Sequence, residues 1–511
     1  MPVLHLDAIQ ATEHHTKFPS KIYPPNYREL RNLNLTMDGV FATRFGYENL
    51  NTNASPNAGT GQITAVAPAG MESASSVLYD GYCIGGPTTG SDNATIYWMG
   101  LRNDDWTSAG ITTATNTYPW QYAWGYNSAR TPGVILSPVG DSGGGKIYFG
   151  ASLGTVTQLG SVSDASNLWT TGRCAEYFLN RGWIGAPDGV NDRVYYSITG
   201  NLNNYYGIGS GYLELFPPGG AFIDLTGMCI YRNRLFFACS TTLMVLTGTT
   251  ERTFGTQYVH RVNVINGATM LSSENLMFYQ DLDGIWIFNG ATPVNIGLLD
   301  QANIWDDLSQ LDKVQASACI DKMQGIYRIF FPAANQIWEY WYRKKRWVIN
   351  VPAFTTDVIR VIGPIGPQLE GPYANYPLGA ATNGRVFINH SEQKTDVGTA
   401  IIPIIKTGDL MLGLLNEKPG YEATVTDIWV LAIPDSSTDY TVTLDMDVDG
   451  TALTQQTKTV TSGSSGVPTR FRMPLPERTN ALVHTFDFQM PTSGVIANVT
   501  DIFIEYELEK R

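Results

Sequence analysis

Charge is scarce in this sequence: Asp, Glu, Lys and Arg make up 15% of its 511 residues. Acidic residues number 46 against 33 basic ones, a formal net charge of −13, which argues against a surface built to grip nucleic acid by neutralising phosphates. An acidic wall repels a phosphate backbone, so a conduit for DNA fits this balance better than a clamp. Cysteine is scarcer still. Cys83, Cys174, Cys229, Cys239 and Cys319 are scattered, odd in number and never spaced as Cys-x-x-Cys. Neither a disulfide framework nor a zinc site is indicated, and each reads as a small buried hydrophobe. A bridge between Cys229 and Cys239 across a hairpin is disfavoured by restrictive disulfide geometry. The histidines (His5, His14, His15, His260, His390 and His484) include one adjacent pair and no metal-ligand spacing. No apolar run approaches the roughly 18 residues that span a bilayer. The opening MPVLHLDAIQATEHH lacks a basic region followed by an apolar core, so synthesis in a cytoplasm without a signal peptide is expected.

Helical periodicity is also missing, whereas 51 Gly and 27 Tyr are present, an all-β composition rich in turns. The stretch Asn275–Gly290, NLMFYQDLDGIWIFNG, shows this most openly. Two apolar β-favouring runs, Leu276–Tyr279 and Ile285–Phe288, flank turn chemistry from Gln280 to Gly284, the pattern of a β-hairpin. Trp286 and Phe288 then belong on the opposite pleat face from Ile285 and Ile287. The theme of strand, tight turn and aromatic returning strand recurs loosely from Gln62 to His390, as a divergent β-propeller would show it. At about 45 residues per blade, residues 51–400 hold roughly six to eight blades, and six or seven once a segment read as an insertion is set aside. A Thr- and Trp-rich segment, 107–131, reads as an insertion. Residues 1–50 read as an arm with one hairpin. From 401 to 511 the alternation of Glu422–Val430, Tyr440–Val448, Thr469–Met473, His484–Met490 and Asp501–Tyr506 predicts a separate C-terminal antiparallel β-sandwich.

Motifs with chemical associations have plainer readings. Asp445, Asp447, Asp449 and Gly450 open like a calcium loop, but Gln456 stands at the twelfth position. Alternation with Leu444, Met446 and Val448 makes them the polar face of a strand ending in an Asp-Gly turn. Asp281 and Asp283 lie in a hairpin connection, where carboxylates accept backbone hydrogen bonds. Gly140–Gly144, GDSGG, resembles a nucleophile motif around Ser142 without the helix or upstream histidine context that such chemistry needs. Gly207, Gly209 and Gly211 lack the strand, helix and spacing of a phosphate loop. No catalytic group, cofactor or metal ligand is therefore assigned. Arg343, Lys344, Lys345 and Arg346, flanked by Trp338, Tyr340, Trp341, Tyr342 and Trp347, read as a hairpin tip. They are the candidate subunit-contact residues, with an acidic strand such as Asp445–Asp449 of a neighbouring copy as their partner.

The order of these motifs resembles the nozzle proteins of short-tailed bacteriophages. The likeness runs from RNLNLTMDGVFATRFG through CIYRNRLFFACSTTLMVLTG and RVNVINGATMLSSENLMFYQDLDGIWIFNGATPVNIG to the closing VTDIFIEYELEKR. It implies a structural, non-enzymatic virion protein made in the bacterial host cytoplasm and located in the tail. As a subunit of a homo-oligomeric, hexameric ring, it would form the distal DNA-ejection channel and contact an adaptor protein and tail fibres or spikes. Viral DNA would pass through without sequence-specific binding. The alternatives are a propeller glycan-binding adhesin and a polysaccharide-degrading enzyme of the virion surface.

Overall fold

A computed structural model describes residues 2–7, 12–13, 26–35, 41–44, 46–49, 63, 65–72, 78–87, 94–99, 107–113, 120–126, 132–138, 148–152, 155–158, 172–187, 190–220, 223–297, 302–354, 359–363, 377–380, 385–389, 395–397, 399–416, 418, 421–434, 438–463, 467–476, 479–490 and 497–510. Within these, seven four-stranded antiparallel meanders follow one another along the chain. Blade one is Ala65–Glu72, Leu78–Pro87, Ala94–Met99 and Thr107–Thr113; blade two is Trp120–Tyr126, Pro132–Pro138, Tyr148–Ser152 and Thr155–Gln158. Blade three comprises Cys174–Phe178, Arg181–Gly185, Arg193–Tyr196 and Gly211–Glu214, and blade four Leu225–Tyr231, Arg234–Cys239, Thr242–Thr247 and Gly255–Arg261. Blade five comprises Val264–Ser273, Leu276–Asp281, Gly284–Phe288 and Val294–Asn295, and blade six Ser317–Asp321, Ile326–Phe331, Gln336–Trp341 and Arg346–Asn350. Blade seven takes three strands from late in the chain, Ile359–Ile362, Pro377–Ala380 and Val386–Asn389. Its fourth is Tyr47–Asn49 from the N-terminal arm, paired antiparallel to Val386–Asn389. The first strand of each blade is innermost, and Ile359–Ile362 of blade seven packs against Ala65–Glu72 of blade one, closing the ring.

The expected six-or-seven-bladed propeller is thus seven-bladed, and the arm completes its last blade. Within the segment 107–131, expected to be an insertion, the described residues are blade strands instead: Thr107–Thr113 is the outer strand of blade one and Trp120–Tyr126 the inner strand of blade two. Period-2 strands of Thr, Tyr and Trp are β-favouring whatever their polarity, and that preference outweighs the loop-like Thr and Asn content.

Burial follows position. Ile326–Phe331 is buried at every residue, because both faces of an inner-blade strand meet neighbouring blades. Strand Tyr440–Val448 alternates, because one face meets water. It belongs to the sandwich. One sheet has Asn498–Lys510 and Tyr421–Ile433 at its centre, flanked by Val3–Asp7, Leu33–Leu35 and Phe41–Thr43 on one side and Thr469–Arg472 on the other. The facing sheet has Ile404–Thr407, His484–Gln489 and Tyr440–Val448. Leu4, Phe41, Ile428 and Ile504 from the first pack against Ile405, Leu444, Phe486 and Phe488 from the second.

The sandwich is not a separate domain as expected. Arm strand Asn26–Arg31 pairs parallel with Arg346–Asn350 of blade six and antiparallel with Ile404–Thr407 of the sandwich, so one eleven-stranded sheet runs through both. Ile326, Trp341 and Val348 of blade six join the sandwich core. The bridge depends on strand Asn26–Arg31 pairing with Ile404–Thr407 far along the chain, and local sequence pattern carries no signal of it.

Candidate assembly site

The four basic residues singled out in the sequence lie at the turn between the third and fourth strands of blade six, with Trp341 paired to Arg346 and Lys345 in the left-handed region at φ 54°. Arg343 is held inside the chain: its Nε donates to Glu274 Oε1 of blade five at 2.9 Å and its Nη2 also binds that carboxylate. The same guanidinium donates to the carbonyls of Met323 and Lys322, each at 2.8 Å. Lys344 places its ammonium 4.6 Å from the Trp341 ring centroid. Arg343 and Lys345 are exposed, whereas Lys344 and Arg346 are half-buried. The tip is therefore a fixed basic knob, joined by Lys322 and the exposed Met323, neither of which the linear run indicated.

The acidic strand lies on the same eleven-stranded sheet. From Arg346–Asn350 the order runs through Asn26–Arg31, Ile404–Thr407 and His484–Gln489 to Tyr440–Val448, four strand spacings or ~19 Å. The register Ile349–Arg31–Ile404–Gln489–Thr443 puts the basic tip and Asp447–Asp449 at one end of the sheet. A rigid sheet keeps the two apart within one chain. Asp449, at φ 46°, forms the Asp-Gly turn, and its carboxylate accepts from the amides of Leu482 and Val483 at 3.1 and 2.9 Å. Asp445 accepts from Gln455 Nε2 at 3.0 Å and faces Asp487 across the strands. Burial pushes the Asp487 carboxyl up, opposed by Lys406 and reinforced by Glu29 and Asp445.

Where propeller, arm and sandwich meet, a buried polar node ties them. Arg44 Nη1 and Nη2 donate to both oxygens of Asp396 at 2.9 and 2.5 Å, and Nη2 also donates to Val351 O at 3.0 Å. Asn32 accepts from Arg44 Nε and from the Val351 amide through Oδ1, and donates to Ile402 O at 3.0 Å. Gly46 lets the arm through, since a Cβ there would lie 2.0 Å from the Thr395 carbonyl oxygen.

The other groups singled out take structural places. Asp281 is buried and accepts from the amides of Asn263 and Leu282 at 2.7 and 2.6 Å, as a turn carboxylate does. The connection it closes is tighter than expected: Gln280 and Asp281 are strand residues, and Leu282-Asp283 alone make the turn. Phe288 and Trp286 pack toward blade four, and Ile285 and Ile287 toward blade six, the two faces expected. Cys229 pairs with Phe236 and Cys239 with Leu225, so the two thiols do not face each other. Cys174, Cys229, Cys239 and Cys319 are free and buried. Ser142 lies outside the described residues. Sequence reasoning missed Glu176 on the innermost strand of blade three, whose carboxyl is pushed up to about 7 by burial, with the Tyr177 amide opposing. An isolated Glu in a strand pattern gives no sign that its blade leaves it only half-exposed.

No family model matches the chain and no curated protein matches it. Among solved structures, the WD40 repeats of RRP9 align at 9% identity and TM-score 0.38, covering 68% of this chain and 98% of that one. A chain of the mitotic checkpoint complex aligns at 10% identity and TM-score 0.40, covering 68% and 93%. An exo-β-1,3-galactanase from Phanerochaete chrysosporium aligns at 10% identity and TM-score 0.26, covering 91% and 100%. At such TM-scores none of these carries an argument about this chain, whose propeller assignment rests on its own seven four-stranded blades.

Proposed function

We propose that the chain is a structural virion protein, one subunit of a ring-shaped tail nozzle that forms the distal DNA-ejection channel of a short-tailed phage. The observation that carries this reading is the single sheet running from blade six through the arm into the sandwich. It fuses a propeller and a sandwich into one body that holds a basic tip and an acidic strand apart, so that each is left to meet a neighbouring copy. The buried charges fit the same role, since Arg44 with Asp396, and Arg328 with Glu339 at 2.7 Å, brace strands against one another. The net charge of −13 suits a wall past which DNA slides without being held. The basic tip of blade six would meet the acidic sandwich end of the next copy, steering the approach and setting register. The adaptor and the fibres or spikes would occupy the remaining faces of the ring.

The test is the mass of the purified chain in solution at low and physiological salt. A closed homo-oligomer, expected to be a hexamer, supports the reading. A monomer that binds or cleaves surface glycans would replace it with the adhesin or polysaccharide-degrading alternative. Changing Arg343, Lys344, Lys345 and Arg346 together to Ser should slow assembly and flatten its salt dependence. Unchanged assembly would remove the tip from the interface.

A further inference from the structure

We propose that one end face of the propeller, formed by the hairpin turns of blades three to six, docks on an anionic lipid surface, with basic side chains against the headgroups and two protruding apolar side chains entering the layer. A monomer would carry this face as a ring subunit does, so the inference stands apart from the ring reading.

In an antiparallel meander, the turns between first and second strands and between third and fourth strands lie on one face of the propeller, and the remaining turns and blade-to-blade links lie on the other. Hydrogen bonds between neighbouring blades tie the first set of turns together. Arg181 Nη2 reaches Glu251 of blade four at 3.0 Å, Tyr231 Oη donates to Asn275 O of blade five at 2.7 Å, and Arg343 Nε of blade six donates to Glu274 of blade five at 2.9 Å. The four blades thus present one braced face.

Charge divides between the two faces. The first set of turns carries Arg232, Arg252, Lys322, Arg343, Lys344 and Lys345 against Glu251 and Glu274. Both glutamates are already paired, with Arg181 and Arg343. Exposed Arg232, Arg252 and Lys322, which lie outside the run assigned to contact between copies, have no carboxylate partner among the described residues. On the opposite face the described turns and links of these blades carry Asp192, Asp224, Asp283, Asp306, Asp307 and Asp312 against Lys313. In a chain of net charge −13, a basic face is drawn to an anionic surface while the rest is repelled, so the approach is oriented.

Apolar tips on the basic face select lipid as the occupant. Ile208 of blade three is fully exposed, with Tyr206 on the same loop, and Met323 of blade six is 88% exposed. They stand on turns three blades apart, so they do not make the contiguous apolar patch that a folded partner would cover. A phosphate polymer offers them nothing apolar to meet. A lipid layer accepts separate side chains without a matching pocket, and its hold sums apolar insertion with attraction to the headgroups. The Ile208 loop is held for this: Arg181 donates to Gly209 O and Ser197 O, both at 2.6 Å, and Asn204 Oδ1 accepts from the amides of Tyr206 and Gly207 at 3.2 and 3.0 Å. Little entropy remains to be lost on insertion. Phe216, Leu282 and Leu311 are exposed on the opposite face, where the aspartates keep an anionic layer away.

The test is co-sedimentation of the full-length chain with vesicles of phosphatidylglycerol and phosphatidylcholine, and with vesicles of phosphatidylcholine alone. Wild type should bind the first and leave the second, more weakly as salt rises. Arg232→Ser with Arg252→Ser should weaken that binding roughly thirtyfold, the loss of two basic groups at such a surface. Ile208→Ser with Met323→Ser should keep the low-salt attraction and lose binding at physiological salt, where insertion must carry it. All four side chains are exposed, so both variants should melt with the wild type. Failure to bind anionic vesicles, equal binding to both kinds, or binding that neither pair of substitutions changes overturns the inference. Duplex DNA that displaces the vesicles and binds the Ile208→Ser, Met323→Ser variant as tightly as wild type overturns it in favour of a phosphate polymer. Self-association without vesicles that is lost in the Arg232→Ser, Arg252→Ser variant overturns it in favour of a second copy.

Discussion

The Arg44 guanidinium and the Asp396 carboxylate are 4% and 0% exposed, so neither charge has water to fall back on if the other is removed. Truncating one partner of such a pair costs about 3–5 kcal/mol. Arg44→Met and Asp396→Leu should each lower stability by that order in urea titrations, and the double variant should be more stable than either single one. Additive losses would show that the two do not act as a pair. Glu176 gives a pH signature. Its folded pKa of about 7 lies above its ordinary 4.5, so the folded state holds the proton more tightly than the unfolded chain does. Stability from this group is therefore present at low pH and falls as pH rises from about 4.5 to 7. Glu176→Gln should remove that slope, so the variant gains on wild type in melting temperature between pH 5 and pH 8. Equal slopes in the two proteins would contradict the assignment.

Among the elements, strand Tyr47–Asn49 closes blade seven while its neighbours in the arm build the sandwich. Without it, Val386–Asn389 becomes an open edge, and open edges recruit foreign strands. Removing residues 1–50 should therefore give a chain that binds hydrophobic dye and aggregates, and gel filtration would register the change. A soluble, native-like monomer would show that closure does not depend on the arm. Gly227 and Gly267, on the innermost strands of blades four and five, approach so closely that a Cβ on Gly227 would lie 2.5 Å from the Gly267 Cα. Gly227→Ala must push backbone against backbone, and a loss of about 1–3 kcal/mol is expected in thermal melts. Strands like these were legible in the sequence where alternation was clean. Tyr440–Val448 falls where expected, and the turn at Asp449-Gly450 follows it. What was not legible is non-local: the bridging strand Asn26–Arg31 and the closing strand Tyr47–Asn49 depend on pairings hundreds of residues away, which local propensity does not encode. The same holds for the candidate site. The basic run was visible as a turn, but its brace through Glu274 and its enlargement by Lys322 and Met323 come from neighbouring turns brought together by blade packing.

At the scale of the whole molecule, propeller and sandwich share one sheet and one stretch of core, so they should unfold together. A single calorimetric transition is expected, whereas two separated transitions would mean that the bridging strand does not couple the halves. Assembly then follows from the basic tip of one copy meeting the acidic strand of another, on a body too stiff to bring its own two together. Electron microscopy of the purified chain tests this most directly. The account predicts closed rings of identical protomers, six by expectation, around an open centre, each protomer a propeller fused to a sandwich. Fields of single seven-bladed discs at micromolar concentration, with no rings at low or physiological salt, would contradict it.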